Sequence, residues 1–228
     1  MKRRQFLVLT GMTIGGQLVY SLDRKASLIT GQEKPQTKRV ALRFLTEAEA
    51  LTLAAVVGRI FPSDDFGPGA NEAGVTIYID RQLAGPWGRD RWRYKQEPFE
   101  EDAPADYGWQ GKATPRELYR NGLKNLSGLE TLSPKEQDEK LKAIENTYWF
   151  TLLRKNTIEG MFCDPMHGGN IDMIGWQILG FPGPRMSYND VVDKNYGEAF
   201  RPKPVTLQQM MPGHKFNLLE DSDNEKSS

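Results

Sequence analysis

Residues 46–62 read TEAEALTLAAVVGRIFP and give the clearest helix signal in the chain. The Thr46 hydroxyl is placed to cap the first turn, and Glu49 three residues later completes a capping box. Apolar side chains then recur at helical spacing, at Leu53, Val56, Val57 and Ile60. The ring of Pro62 disfavours helical geometry in the residue before it, so the helix is predicted to end there.

Downstream of this helix, the same kind of signal recurs four times. A second pattern uses Val75, Ile79 and Leu83 and stops at Gly85-Pro86. Two later starts, at residues 114–117 and 133–136, each place a capping hydroxyl, an N1 proline and an N3 glutamate in order. The inward residues predicted for these two helices are Leu118, Gly122 and Leu126, then Leu141, Ile144 and Tyr148. A last long helix is predicted from about Thr147 to Phe162, with inward residues Phe150, Leu153, Thr157, Ile158 and Met161.

No segment shows sustained period-two alternation, and no internal repeat is visible. We therefore expect an all-α fold: a single domain of about five or six helices with long irregular, aromatic-rich loops and an N-terminal export signal. The expected division is a twin-arginine signal region at 1–29, a linker at 30–43, the helical domain at 44–215 and a disordered tail at 216–228. The tail prediction depends on its polar, acidic composition.

Composition excludes several classes of function. The 228 residues include 30 basic and 30 acidic side chains, which argues against a general nucleic-acid binder with its basic surplus. The single Cys163 excludes an internal disulfide, a C-x-x-C-H haem attachment and an iron–sulfur cluster held by the chain's own thiolates. His167 and His214 are the only histidines, which argues against a multi-histidine metal site. The sequence thus predicts no cofactor in this chain.

The N-terminus is typical of an export signal. Four residues carry the pattern, Arg3, Arg4, Phe6 and Leu7, and residues 8–22 that follow are uncharged. Paired arginines favour the twin-arginine route, which carries proteins already folded in the cytoplasm. The glycine-containing apolar stretch is shorter than the roughly 20 strongly apolar residues of a membrane span. An uncleaved N-terminal anchor remains an alternative, since no clear cleavage motif precedes Ser27.

Residues 85–113 form the first unusual stretch, because a long segment without regular structure inside a domain usually signals function or disorder. Three of the chain's five tryptophans fall in it, and arginines alternate with them. Aromatic residues and arginine are enriched at interface hot spots. The candidate partner-interface residues are Trp87, Arg91, Trp92, Tyr94, Tyr107 and Trp109. The alternatives are a flap folded over the helical core and, less favoured because of nearby acidic residues, base stacking on nucleic acid.

Residues 160–183 form the second unusual stretch, in which Gly168-Gly169 allows positive φ and Asn170 or Asp172 can cap a short helix. Cys163, Asp164 and His167 lie close together in sequence, but this mixed set matches no common metal spacing. A Cys163 nucleophile would lack a group to orient His167 as base, and the glycines do not form a dinucleotide motif. The stretch is best interpreted as a tightly turned, hydrogen-bonded connector.

The same stretch carries a resemblance to a known family. Its signature residues are Asp164, Pro165, Gly168, Gly169, Asn170, Asp172, Gly175 and Trp176, preceded by EGMF at 159–162 and followed by GFPG at 180–183. This pattern resembles the gluconate 2-dehydrogenase subunit 3 family, the gamma or small subunits of membrane-bound sugar and sugar-acid dehydrogenases. The resemblance extends upstream to the helix after Thr46 and to the twin-arginine start, and so covers most of the chain.

The resemblance implies a non-catalytic subunit with no cofactor of its own. Its partners would be a GMC-type large subunit that holds FAD and oxidises the substrate, and a multihaem cytochrome c subunit that passes electrons towards quinone. The small subunit would bind and mature the large one and supply the signal that the twin-arginine translocase reads. The complex would then lie in the periplasm, on the outer face of the cytoplasmic membrane. No interaction with nucleic acid is implied.

Two other functions stay open at the level of sequence. One is a stand-alone exported enzyme or metal-binding protein that uses Asp164, His167 and Cys163. The other is a purely structural envelope protein held by an uncleaved N-terminus. The resemblance does not identify the substrate, because relatives accompany enzymes that oxidise gluconate, glucose, sorbitol or fructose.

Overall fold

A computed structural model describes residues 40–93, 98, 100, 103–108, 111–189, 192 and 202–214. Within them lie seven α-helices: α1 Glu47–Ile60, α2 Val75–Ala84, α3 Pro115–Asn125, α4 Pro134–Lys142, α5 Tyr148–Phe162, α6 Ile174–Leu179 and α7 Leu207–Met210. Short 3-10 turns lie at Ala105–Tyr107, Leu129–Thr131, Pro165–His167 and Ile171–Met173. The residues described contain no β-strand, apart from one isolated bridge between Asp64 and Gly67. The all-α prediction is confirmed for this part of the chain.

The helix starts follow the capping chemistry in the sequence. Thr46, Thr114 and Ser133 each accept a hydrogen bond from the N3 backbone N–H, while the N3 glutamate accepts from the backbone N–H of the capping residue. All three predicted capping boxes are therefore confirmed. Thr147 caps α5 by accepting from the N–H of Phe150. Because a cap satisfies N–H groups that lack partners within the helix, it fixes where each helix begins.

Helix α1 lies at the centre of the fold and contacts α2, α3, α4 and α5. Its predicted face is inward: Leu53, Val56 and Val57 are fully buried. They pack in one core with the predicted residues of α2 and with apolar side chains of α3 and α5. Those side chains are Val75, Ile79 and Leu83 of α2, Tyr119 and Leu123 of α3, and Leu153 and Met161 of α5.

Asp80 fixes the point at which the chain enters this core. Its carboxylate accepts three backbone hydrogen bonds, from Arg43 at 2.7 Å, Phe44 at 3.0 Å and Leu45 at 2.8 Å. Arg120 stacks over the Phe44 ring at 4.3 Å and donates to the Phe44 carbonyl at 2.9 Å. The segment before α1 is therefore bound to α2 and α3 by its own backbone.

Two details of the predicted helices are wrong. Ile158 was expected to face inward but is 40% exposed, because α5 turns Asn156, Thr157 and Gly160 towards the core. Tyr148 was expected to continue the α4 face, but α4 ends at Lys142 and Tyr148 begins α5, where it is 42% exposed. The Thr147 cap explains this second difference, since it starts a new helix at that point.

The predicted export signal at Arg3, Arg4, Phe6 and Leu7, the signal region 1–29 and the tail 216–228 lie outside the residues that the structure describes. Among the residues it does describe, no helix has the length and apolar character that crossing a membrane requires.

Candidate functional site

The aromatic stretch after α2 is built on the C-terminal end of that helix. Arg116 of α3 donates to the carbonyl oxygens of Leu83 at 2.7 Å and Ala84 at 2.8 Å. These carbonyls belong to the last turn of α2 and have no partner within the helix. A cation at a helix C-terminus also interacts favourably with the helix dipole. Arg116 thereby fixes the direction in which the chain leaves α2.

The base of the stretch is closed by Asp90 and Arg93. Asp90 is buried and has φ of 58°, in the left-handed region that is uncommon for a residue other than glycine. Arg93 donates through Nε to the Asp90 carboxylate at 2.7 Å and through its terminal nitrogens to the carbonyls of Gly111 and Ala113. The two ends of residues 90–113 are thus joined by one guanidinium group. We call residues 87–113 the aromatic arm.

The described aromatic residues of the arm divide between core and solvent. Trp87 is half-buried and packs against the hydrophobic core. Trp92 and Tyr107 are each 75% exposed, and Arg91 is exposed as well. Tyr94 and Trp109, the other two candidate residues, lie outside the described part of the chain. The flap interpretation therefore fits Trp87, whereas the partner interpretation fits Trp92 and Tyr107.

A cleft of about 200 Å³ opens beside Trp87 and Trp92. Apolar parts of α3 and α5 complete its wall, including Leu118, Tyr148 and Leu152. Pockets for drug-sized molecules are typically about 300–1,000 Å³, and an apolar cavity of about 150 Å³ can hold a benzene ring. The cleft is therefore suited to one side chain of another protein rather than to a cofactor.

The signature residues build the connector between α5 and α6. Asn170 is fully buried and donates to the carbonyl of Cys163 at 2.8 Å, while its oxygen accepts from the N–H of Gly175 at 2.7 Å. Asn170 thus satisfies a donor in the first turn of α6, which is the role predicted for Asn170 or Asp172. The indole N–H of Trp176 donates back to the carbonyl of Phe162 at 2.8 Å.

Asp164 and Pro165 hold the other end of the connector. One Asp164 oxygen accepts from the N–H of Met166 at 3.1 Å, and the other accepts from the N–H of Leu207 at 2.8 Å. Pro165 begins a 3-10 turn, which Gly168 ends at φ of 97°. Asp164 therefore joins two segments that are 43 residues apart in sequence.

Two glycines of the signature allow close approach of backbone to backbone. A Cβ atom on Gly169 would lie 2.3 Å from the Gly160 carbonyl oxygen, and one on Gly175 would lie 2.0 Å from that of Met161. Both distances are far shorter than any real contact, so a side chain at either position would displace the connector from α5. Asp172 is exposed and has φ of 54°.

Cys163 and His167 line one cleft of about 550 Å³, but with Asp164 they do not form a metal-binding group. Burial raises the pKa of the Cys163 thiol to about 12, so the thiol is protonated, whereas a metal ligand or nucleophile must be a thiolate. The Asp164 carboxylate is occupied by two backbone N–H groups. Within the described residues, no three His, Cys, Asp or Glu side chains are placed to hold a metal ion.

Sequence reasoning missed a polar network that joins α2, α3 and α5. Tyr119 donates to Asn156 at 2.8 Å, Asn156 donates to Glu159 at 2.9 Å, and Tyr78 donates to Glu159 at 3.3 Å. Burial raises the pKa of both tyrosines, so both remain donors at neutral pH. Because polar residues inside a helix give no periodic signal, their pairing could not be read from spacing. The network joins the three helices, and Tyr78 and Glu159 also line a cleft of about 550 Å³ together with Cys163 and His167.

A family model described as gluconate 2-dehydrogenase subunit 3 matches residues 47–183. The matched part runs from the first residue of α1 to the end of the signature, and so includes the arm and the connector. No curated protein and no solved structure matches the chain. Since the match covers more than half of the sequence, the chain belongs to the gluconate 2-dehydrogenase subunit 3 family.

Proposed function

We propose that this chain is the non-catalytic small subunit of a membrane-associated GMC-type flavoprotein dehydrogenase that acts on gluconate or a related sugar or polyol. It binds the large subunit and supports its maturation, and FAD is held in that partner. A multihaem cytochrome c subunit takes up the electrons. Membership of the family supports the role of an accessory subunit.

The observation that carries the proposal is the exposure of Trp92 and Tyr107 on an arm whose base is rigidly held. Tryptophan, tyrosine and arginine are the residues most enriched in binding hot spots, and each can contribute more than about 2 kcal/mol. Arg93 holds Asp90, so Trp92 between them is presented with less loss of conformational freedom on binding. The cleft beside Trp92, lined by charged as well as apolar side chains, adds a place for one side chain of the partner.

We further propose that the Arg3-Arg4 start supplies the twin-arginine signal for the whole assembly. The large subunit would fold around FAD in the cytoplasm, bind this chain and cross the membrane with it. The complex would then work in the periplasm, attached to the outer face of the cytoplasmic membrane. A signal on a chain without redox chemistry of its own is explained most simply if it serves a partner.

Expression of a GMC-type flavoprotein with and without this chain tests the proposal. We expect FAD content, dye-linked dehydrogenase activity and periplasmic location of the flavoprotein to depend on co-expression. Equal activity and equal export without the small chain would refute it. Turnover of a carbohydrate by this chain alone, with a dye acceptor, would refute its non-catalytic role.

A further inference from the structure

An open cleft lies beside the C-terminal ends of α2 and α5 and shares no lining residue with the cleft of the aromatic arm. Its volume is about 550 Å³, within the range of about 300–1,000 Å³ that is typical of small-molecule sites. Tyr78 and Gln82, one turn apart, line it from α2. The lining residues from the end of α5 and the turn after it are Ile158, Glu159, Phe162, Cys163 and His167. We call this the α5 cleft, in which several polar groups meet beside apolar walls.

Hydrogen bonds from the core fix the carboxylate of Glu159 at this cleft. Its Oε2 atom accepts from Tyr78 at 3.3 Å and from Asn156 at 2.9 Å. Asn156 is buried and accepts in turn from Tyr119, which is fully buried. Among the described residues, the Oε1 atom meets only Lys155, which is 70% exposed and lies 3.8 Å away, beyond hydrogen-bond distance. One oxygen of a fixed carboxylate is therefore available to a ligand.

The charges around the α5 cleft favour a cation. Burial is the main cause of the raised pKa values of Tyr78 and the Cys163 thiol, and the charge of Glu159 adds to both. Tyr78 and Cys163 are therefore neutral at neutral pH, and no lysine or arginine is among the described residues that line the cleft. The last turn of α5 contains no basic residue either, so no side chain of that turn balances the negative end of the helix dipole.

Gln82 and His167 supply the neutral polar groups of the cleft. Both side chains are half-buried, and neither makes a hydrogen bond to another described residue. The Gln82 amide offers a carbonyl oxygen, and a neutral imidazole offers one acceptor nitrogen. The rings of Tyr78 and Phe162 line the same cleft, and an aromatic ring attracts a cation placed over its face. The neutral groups thus add acceptors and aromatic surface to the carboxylate.

We infer that the α5 cleft binds a small organic cation, an alkylammonium or guanidinium compound. Its N–H groups donate to Glu159, Gln82 and His167. Its hydrocarbon part packs against Ile158 and Phe162. Ammonium and guanidinium groups are donors only, which matches a set of acceptors around a fixed carboxylate. The inference goes beyond the proposed function, because the cleft takes a free compound and requires no partner chain.

An anion, a neutral sugar and a metal ion fit the α5 cleft less well. Arg81 of α2 packs over Gly168, where a Cβ atom would lie 2.5 Å from one of its terminal nitrogens, but Arg81 does not line the cleft. An anion would therefore face Glu159 without a lining cation. A neutral sugar would gain nothing from the charge of Glu159. Within the part of the chain that the structure describes, no three His, Cys, Asp or Glu side chains are grouped to hold a metal ion.

Isothermal titration calorimetry of the purified full chain with propylguanidinium, butylammonium, acetate and glucose tests the inference. We expect both cations to bind with a dissociation constant of about 1 mM or tighter, and acetate and glucose to give no binding. Glu159→Gln removes the charge but keeps the size of the side chain, so it should weaken cation binding by about tenfold or more. Glu139→Gln is the matched control and should leave binding unchanged. Glu139 also pairs with a lysine four residues earlier, at 4.0 Å, but it lies on α4 and away from the cleft lining.

Gln82→Lys keeps the test valid if Glu159→Gln weakens the fold. Gln82 makes no hydrogen bond to a described residue, so the change removes none and places an ammonium group in the cleft, which competes with the added cation. Cation binding that is unchanged in both variants would overturn the inference, as would binding of acetate or glucose but of neither cation. N-acetylarginine methylamide represents an arginine side chain within a protein. Binding of this compound but of neither free cation would assign the cleft to a protein partner and so also overturn the inference.

Discussion

Asp80 accepts three backbone hydrogen bonds on a carboxylate that is almost completely buried. Asp80→Asn replaces one oxygen with an N–H₂ group that points at a backbone N–H, so at least one backbone donor loses its acceptor. We expect the free energy of unfolding in urea to fall by about 2–3 kcal/mol, since an unsatisfied buried group costs about 1–3 kcal/mol and more where charge is involved.

Asp138→Asn is the control for that substitution. Asp138 makes a two-point ion pair with Arg59 at 2.7 Å, but both side chains are partly exposed. Exposed ion pairs contribute little to stability. If Asp138→Asn lowered the free energy of unfolding as much as Asp80→Asn does, burial of the Asp80 carboxylate would not explain the effect of Asp80→Asn.

The Cys163 thiol gives the stability of the protein a pH dependence with a definite sign. Burial raises its pKa from the usual 9.0 to about 12, so the folded state holds the thiol proton more tightly than the unfolded state. The contribution to stability is complete below pH 9.0 and is lost as the pH rises towards about 12.

We therefore expect the free energy of unfolding in urea to fall more steeply between pH 9 and pH 11 in the wild type than in Cys163→Ala, by at most about 1.4 kcal/mol per pH unit. Burial also raises the pKa values of Tyr78 and Tyr119, and both contribute to both curves, although the charge of a Cys163 thiolate adds to the rise in the Tyr78 pKa and is absent in Cys163→Ala. The two proteins are compared by the slope of the free energy of unfolding against pH. The packing energy lost with the sulfur lowers the whole Cys163→Ala curve and does not change its slope. Parallel slopes would show that the thiol titrates normally in the folded state.

Among the structural elements, the aromatic arm has a structural role at Trp87 and a proposed binding role at Trp92, and substitutions at these two tryptophans should separate the two roles. Trp92→Ala should weaken capture of the large subunit by a factor of about 30 or more, the loss typical of a hot spot. It should change the free energy of unfolding by less than about 0.5 kcal/mol, because Trp92 is 75% exposed.

Trp87→Ala should destabilise the fold more than it weakens capture of the large subunit, since Trp87 packs on the core and its removal leaves a cavity. We expect it to lower the free energy of unfolding by about 2–4 kcal/mol, measured by urea denaturation. A Trp92→Ala protein that unfolds early but still captures the large subunit would support the flap interpretation of the whole arm.

The first residues of the helices could be predicted where a local capping motif determines them. Thr46, Thr114 and Ser133 cap as expected because a capping box involves only residues three apart. The buried face of α5 was less predictable, since a helix with several neighbours buries polar as well as apolar residues. Asn156 and Thr157 lie inside through their hydrogen bonds, while Ile158 lies outside.

The candidate site shows the same division between local and long-range causes. The turn-forming character of residues 160–176 could be read from glycine and asparagine, and the connector there follows it. The hydrogen bond from the N–H of Leu207 to Asp164 could not be predicted from the sequence, because no local pattern relates residues 43 apart.

For the whole molecule, the helical core is what positions both the aromatic arm and the connector. The core formed by α1 to α5 holds the arm through Arg116 and the connector through Asn170. The start of the arm and the connector are thus each tied to the helices by hydrogen bonds from side chains to backbone carbonyls. If the chain holds a folded partner as proposed, such fixed points reduce the freedom lost on binding.

The proposed co-transport concerns the whole chain, and the paired arginines test it. Arg3→Lys with Arg4→Lys keeps the charge of the N-terminus but removes the pair that the twin-arginine route reads, so this chain and the large subunit should both stay in the cytoplasm. Cell fractionation with dehydrogenase activity measures both. Arg24→Lys with Arg39→Lys is the control, since it makes the same change outside the pair and should leave export intact. Export of the large subunit in cells that lack this chain would show that the two travel separately. A large subunit that depends on the signal of this chain would stay in the cytoplasm under those conditions.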